Sequence, residues 1–267
     1  MRRRLVRVAL LAPFLSTLST LPTFSPLLTL LAVPAHAAAG PTAGKLTWYG
    51  QACFVLETTG GTRIVMDPIP KGIGYELPQG LKADIVTISH EHADHNNVGF
   101  VTGKPRVIRG LTADKKGWTR VDEKVKDVSI RTVGVYHDDA RGAKRGLDTV
   151  FIFEVGGVRI AHLGDLGHVL NDQQLAAIGA VDVLLIPVGG TFTIDALKAT
   201  RVVEQMRPRL MVVPMHYKTE ASTIRELEPL ALFLDGKTNV RHETASTIAL
   251  SPMKPRPAAE IVVLPYR

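Results

Sequence analysis

From Lys45 onward, short β-branched or apolar runs are separated by Gly, Pro and Asp, a spacing that predicts strands more often than helices. Lys45–Tyr49, Cys53–Glu57 and Arg63–Met66 read as strands, the last two joined through Thr59-Gly60-Gly61 as a hairpin. A Gly/Pro-rich excursion, Pro68–Gly80, precedes a buried-looking strand, Ile85–Ile88, and strands Arg106–Ile108 and Val128–Val133 follow. A second series opens with Thr149–Val155 and Val158–Leu163, a hairpin about Gly156-Gly157. Then come a helix Asp172–Ile178, a strand Val183–Val188, a helix Ile194–Met206 with Thr193 as its N-cap, and a strand Leu210–Val213. A helix Thr223–Leu234 and strands Thr247–Leu250 and Ile261–Leu264 close the chain. Two strand-rich halves with outer helices predict an α/β protein, a four-layer αββα sandwich. No linker composition appears after residue 44, so residues 45–267 read as one domain.

The first 40 residues break this pattern. Arg2, Arg3, Arg4 and Arg7 lead into an uncharged, Leu-rich run, and Ala35-His36-Ala37 supplies a small-x-small cleavage pattern. Residues 1–37 are expected to be a signal peptide cut after Ala37 or Ala39, making the protein exported, periplasmic or secreted. Retention as a membrane anchor is the alternative, against which Pro13, Pro22, Pro26 and Pro34 weigh. Four of the 32 basic residues and none of the 25 acidic ones lie there, so the remainder carries a formal +3. With no basic block interleaved with aromatics, nucleic acid is not an expected partner; a small molecule is. Membrane contact is expected only if the N-terminal segment is retained. Cys53 is the single cysteine, so no intrachain disulfide can form, and its apolar setting suits a buried strand face.

The densest chemistry lies in "SHEHADHNN", Ser89–Asn97. His90 and His92, two apart on an extended exit from a strand, can point the same way, while Asp94 and His95 lie where the chain would turn into a helix. One segment can therefore serve two neighbouring metal centres. The helical zinc pattern His-Glu-x-x-His is not met, because Asp94 stands four after His90. Further candidates stand at later strand ends: His137 in "VYHDDARG", Asp165 in "HLGDLGH" and His216 in "VVPMHYKT".

In this order these residues resemble the metallo-β-lactamase superfamily of metal-dependent hydrolases, over about Trp48 to Tyr217. "WYGQACFVLET", "DP", "SHEHADHNN", "HLGDLGH" and "LLIPVGG" are similar to the bacterial subgroup of the ascorbate-6-phosphate lactonase type. The resemblance implies that His90, His92 and His137 hold one metal, that Asp94, His95 and His216 hold a second, and that Asp165 bridges them. Such a thiolate-free set suits two Zn²⁺, with Mn²⁺ or Fe²⁺ as alternatives. The implied activity is hydrolysis of an ester-type bond, a lactone or a phosphodiester, by a metal-bridging hydroxide that Asp94 also orients. A non-catalytic metal-binding module and, less favoured, a β-lactamase are the alternatives; Asp165 and the lack of a Cys ligand count against the latter.

Other positions carry two readings each. His168 is either a proton donor at the rim, which would make it catalytic beside Asp94, or a structural turn residue. Asp67 either accepts the free N–H of a ligand histidine or caps a turn before Pro68. Asp84 and Asp138 face the same choice, with the structural role ahead. Tyr217 and Lys218 either contact an anionic substrate or are solvated. His162 is expected in the core and His242 on the surface. Gly189-Gly190-Thr191 either receives an oxyanion on backbone N–H groups or permits a tight turn beside the metals.

Overall fold

The computed structural model describes residues 42–252 and 257–266. The expected signal peptide lies outside the described residues. The described residues form fourteen strands: β1 Gly44–Trp48, β2 Phe54–Thr58, β3 Arg63–Met66, β4 Ile85–Ile88, β5 Arg106–Arg109, β6 Asp122–Val125, β7 Val128–Tyr136, β8 Leu147–Val155, β9 Val158–His162, β10 Val183–Pro187, β11 Met211–Met215, β12 Val240–His242, β13 Thr247–Leu250 and β14 Glu260–Val263. Three α-helices, α1 Asp172–Ile178, α2 Ala196–Met206 and α3 Leu230–Leu234, follow the second series of strands.

The strands form a six-stranded sheet, β13-β1-β2-β3-β4-β5, and an eight-stranded sheet, β12-β14-β11-β10-β9-β8-β7-β6. One apolar core joins them, taking Leu46, Phe54, Leu56, Ile64 and Ile85 from the first and Ile130, Phe151, Phe153, Leu185 and Val213 from the second. Each fully buried side chain of this kind contributes roughly 1.5–3 kcal/mol relative to exposure. Strands β4, β10 and β11 are buried along their whole length. Such unbroken apolar runs are those of parallel strands covered on both faces, and all three pair in parallel.

The fold class agrees with expectation, and the local departures have identifiable causes. The outer face of the first sheet is covered by a second apolar cluster that includes Ile69, Tyr75 and Leu77 from the Gly/Pro-rich excursion, together with Leu81 and Val101. A 3-10 turn, Val98–Phe100, stands where a helix was expected after His95. The N-cap of α2 is Asp195, whose carboxylate accepts from Lys198 N–H at 2.8 Å, and not Thr193. α3 is shorter than expected: Pro229 is its extended N-cap, and a proline disfavours helix in the residue before it, so the helix does not start further upstream. β6 and β12 were not expected, being edge strands whose charged, half-exposed sequences hide the apolar signal.

The topology brings the chemistry to one edge. β9 and β11 both run parallel to β10, and β7 and β9 both run antiparallel to β8, so β7, β9 and β11 point the same way. Their carboxyl ends lead directly into His137, Asp165 and His216.

Candidate metal centre

Seven side chains meet there. His90, His92 and His137 bring one ligand atom each within 4.8 Å of one another, and so do Asp94, His95 and His216. Asp165 lies between the two triads. Its Oδ2 is 3.8 Å from Nε2 of His90, 3.3 Å from that of His95, 3.2 Å from that of His137 and 3.3 Å from that of His216. All are buried except His92, which is exposed, and Asp94, which is half-buried. Asp67, His90 and His95 form a third close group, but Asp67 is already committed to hydrogen bonds.

Those hydrogen bonds fix the proton positions. Asp67 accepts Ser89 N–H at 2.7 Å, Ser89 Oγ–H at 2.5 Å and His95 Nδ1 at 3.0 Å. Because Ser89 gives its only hydroxyl proton to Asp67, its oxygen accepts from His90 Nδ1 at 2.9 Å. His90 and His95 thus each carry a proton on Nδ1, which leaves Nε2 as the atom that would meet a cation once any proton on it is displaced. Among the described residues, those two Nε2 atoms and Asp165 Oδ1 are buried without a hydrogen-bond partner. Orphaned buried lone pairs are costly, and a bound cation would satisfy them. The donor set therefore fits a metal.

Three residues with positive φ aim the cluster: Gln51 at +50°, Asp67 at +45° and His216 at +52°. Left-handed backbone at a non-glycine residue costs on the order of 1 kcal/mol and persists where the surroundings enforce it. Glycines beside the cluster permit close approaches. A Cβ on Gly189 would stand 2.1 Å from the carbonyl oxygen of His216, and one on Gly164 would stand 2.5 Å from Asp148 Oδ1.

Electrostatics separate the histidines. Lost hydration and then repulsion from His90 and His137 push His92 down to about 4, keeping it neutral. Burial opposes charge on His95, but Asp165, Asp94 and Asp67 around it hold its pKa well above the usual imidazole range. Burial likewise opposes charge on Asp165, yet His216, His95 and His137 keep it well below the carboxylate range. The metal-free cluster thus holds protons that a cation would displace.

Two contributors carry no motif. Gln51, buried and next to the left-handed turn, donates its amide N–H groups to Asp94 Oδ2 at 3.1 Å and to His216 Nε2 at 2.7 Å, and its backbone carbonyl accepts Trp48 Nε1–H and His216 N–H. Asp148, fully buried in β8, sets its Oδ1 3.4 Å from His90 Nδ1. Neither stands beside the histidine cluster in sequence; the only signal for Gln51 is its place in "WYGQACF".

The remaining candidates sort as follows. Asp67 orients His95 directly, the role anticipated for it. His168 is a correction: its Nε2 accepts Tyr136 N–H at 3.1 Å and its Nδ1 donates to Val169 O at 2.8 Å, so neither nitrogen is free to protonate a leaving group. Tyr217 is buried and stacks on Trp48 at 5.4 Å, and Lys218 Nζ donates to the carbonyls of Ser222 and Ile224, so neither awaits a substrate. Gly190 N–H is taken by Ile194 O, which favours the tight-turn reading. Asp84 accepts Arg63 N–H and Lys126 Nζ, and Asp138 accepts four backbone N–H groups of its own loop, both structural roles. His162 is buried and donates to Ala52 O; His242 is exposed. Burial raises the Cys53 thiol far out of the reactive range.

A cavity of about 270 Å³ opens over the cluster, lined by His92, Asp94, His137, Asp165 and His216 and completed by Gln51, Arg145, Phe192 and Ile224.

Comparison with known proteins gives a consistent answer. Residues 45–216 match the beta-lactamase superfamily domain. A UPF0173 metal-dependent hydrolase of Anaeromyxobacter dehalogenans is 33% identical, with 74% of this chain and 83% of that protein covered. One from Pyrococcus furiosus is 34% identical, over 66% and 85% respectively. The crystal structure of a candidate zinc-dependent hydrolase of the metallo-β-lactamase superfamily from Thermotoga maritima is 36% identical, with a TM-score of 0.65 over 82% of this chain and 97% of that one. With the seven-residue cluster at the strand ends where the superfamily resemblance anticipates it, the chain belongs to the metallo-β-lactamase superfamily and is a metal-dependent hydrolase.

Proposed function

We propose that the protein uses two divalent cations to hydrolyse an ester-type bond, a lactone or a phosphodiester, in a small molecule, and that it acts outside the cytoplasm. The observation that carries the reading is Asp165 Oδ2, which lies 3.2–3.8 Å from an Nε2 atom of four histidines drawn from both triads. A carboxylate so placed can be shared between two cations. His90, His92 and His137 would hold one, and Asp94, His95 and His216 the other. Bound there, divalent cations supply water activation near neutral pH and polarisation of the bond under attack, and the thiolate-free donors favour Zn²⁺ over Mn²⁺ or Fe²⁺. Asp94, half-buried on the cavity wall, orients the attacking water. Phe192 and Ile224 cover the apolar part of the substrate.

Metal analysis of the purified protein under zinc-replete conditions, followed by assays on lactones, phosphodiesters and β-lactams, tests this. Two metals per chain with turnover of a lactone or phosphodiester is the expected result. One metal or fewer refutes the paired site, turnover of β-lactams alone makes the protein a β-lactamase, and full loading without turnover makes it a metal-binding module. Export rests on the N-terminal sequence pattern. N-terminal sequencing of protein from the periplasmic or culture fraction should begin at Ala38 or Gly40; an intact Met1 there would refute cleavage.

A further inference from the structure

We propose that Arg145 is the residue that selects the substrate, by binding an anionic group, so that the bond cleaved belongs to a molecule carrying a carboxylate or phosphate. This rests on the metallohydrolase reading above and adds the substrate class.

Among the described residues, Arg145 is the one lysine or arginine lining the metal cavity. Its guanidinium donates from Nη2 to Thr191 O at 3.0 Å and lies 4.9 Å from the centre of the Phe192 ring. Among the described residues it pairs with no carboxylate, whereas the adjacent Lys144 is bound to Asp139 at 2.8 Å. A guanidinium has five N–H donors in a flat fork, so donors remain for a ligand, and the fork matches a carboxylate or phosphate in bidentate geometry.

The residue is also held in place before any ligand arrives. Asp138 directly follows the ligand candidate His137. Its carboxylate accepts the backbone N–H groups of Ala140, Gly142, Lys144 and Arg145 itself at 2.7–2.9 Å. The loop carrying the guanidinium is thereby fixed to the strand end that carries the metal candidate, which lowers the ordering cost of binding.

The probes are small acids titrated calorimetrically into the zinc-loaded protein. Succinate, glutarate and 3-phosphonopropionate each offer one anionic group to the metals and a second to Arg145; butyrate and succinamate offer only the first. At least one dianion should bind about tenfold tighter than butyrate, a difference of about 1.4 kcal/mol. In Arg145→Gln that gap should close to twofold or less, and Arg145→Lys should recover part of it, with zinc content and melting temperature unchanged in both. The succinate and phosphonate arms tell a carboxylate-bearing substrate from a phosphate-bearing one. Equal affinities of dianions and monoanions for the unmodified protein, or a gap that survives Arg145→Gln, overturns the proposal. A chain that takes up no zinc refutes the metallohydrolase reading itself and is recognised by metal analysis before any titration.

Discussion

The two triads of the centre share a strand-exit segment and a carboxylate, yet they are built differently. His90, His92 and His137 are all imidazoles, and one of them, His92, stands exposed at the cavity mouth. Asp94, His95 and His216 include a carboxylate, and their neighbourhood is more tightly engineered: Asp67 holds His95 directly, and Gln51 occupies the lone pairs of both Asp94 and His216. Asp67 reaches the first triad at one remove, through Ser89, whose hydroxyl oxygen bonds His90. The lesson is that the first triad should bind a cation much as it stands, whereas the second must give up hydrogen bonds and a proton.

Four experiments break or sharpen that comparison. The largest effect should come from Asp165→Ala, because this residue serves both triads: activity on whichever substrate is found should fall by about a thousandfold or more, and metal content should drop below that of the unmodified protein. Unchanged metal content and activity would remove Asp165 from the site.

Next comes Asp67→Ala. Loss of a group that orients a ligand histidine typically costs about 10–100-fold in metal affinity. Here the second triad should lose that much and the first much less, since His95 is held directly and His90 through Ser89. Equal losses at two resolved binding steps would contradict the asymmetry.

A smaller effect is expected from acidity. A histidine must be neutral to bind metal, and the carboxylates around His95 hold its proton well above the usual range, so proton competition there sets in early as pH falls. His92 gains its proton only near 4. His137, although burial opposes its charge, is also raised by Asp165, so the first triad weakens too, but less. Zinc titrations between about pH 7.5 and 5.5 should show the weaker site lost first; simultaneous loss of both would count against the assignment.

The smallest change should follow Gln51→Leu. Removing an amide that donates to two ligand lone pairs frees them for a cation, and a hydrogen bond of about 1 kcal/mol corresponds to roughly fivefold tighter binding at the second triad. Weaker binding instead would mean that the side-chain carbonyl of Gln51 is itself a ligand.

Legibility in the sequence followed the same division. His90, His92, Asp94 and His95 were visible because they are crowded into one strand exit, a local pattern. His137, Asp165 and His216 were each ordinary residues at a strand end, and gained meaning only together with the resemblance. His168 stood in a similar position, and nothing local told it from them; its distinction is that Tyr136 and Val169 occupy both ring nitrogens. The core strands β4, β10 and β11 were legible from unbroken apolar runs, while β6 and β12, at sheet edges, have no buried face to impose alternation.

By itself, the sequence determined the α/β class, the order of most elements and the polar crowding at Ser89–Asn97, because periodicity and residue chemistry are local properties, while the superfamily resemblance implied the full set of candidate ligands. Only the tertiary structure decided which histidines face one another, that Gln51 and Asp148 join them, that His168 does not, and that Arg145 stands uncompensated on the cavity wall. Those facts depend on contacts between residues as far apart as Gln51 and His216. They exist only once two sheets have packed and the ends of β7, β9 and β11 have been brought to one edge.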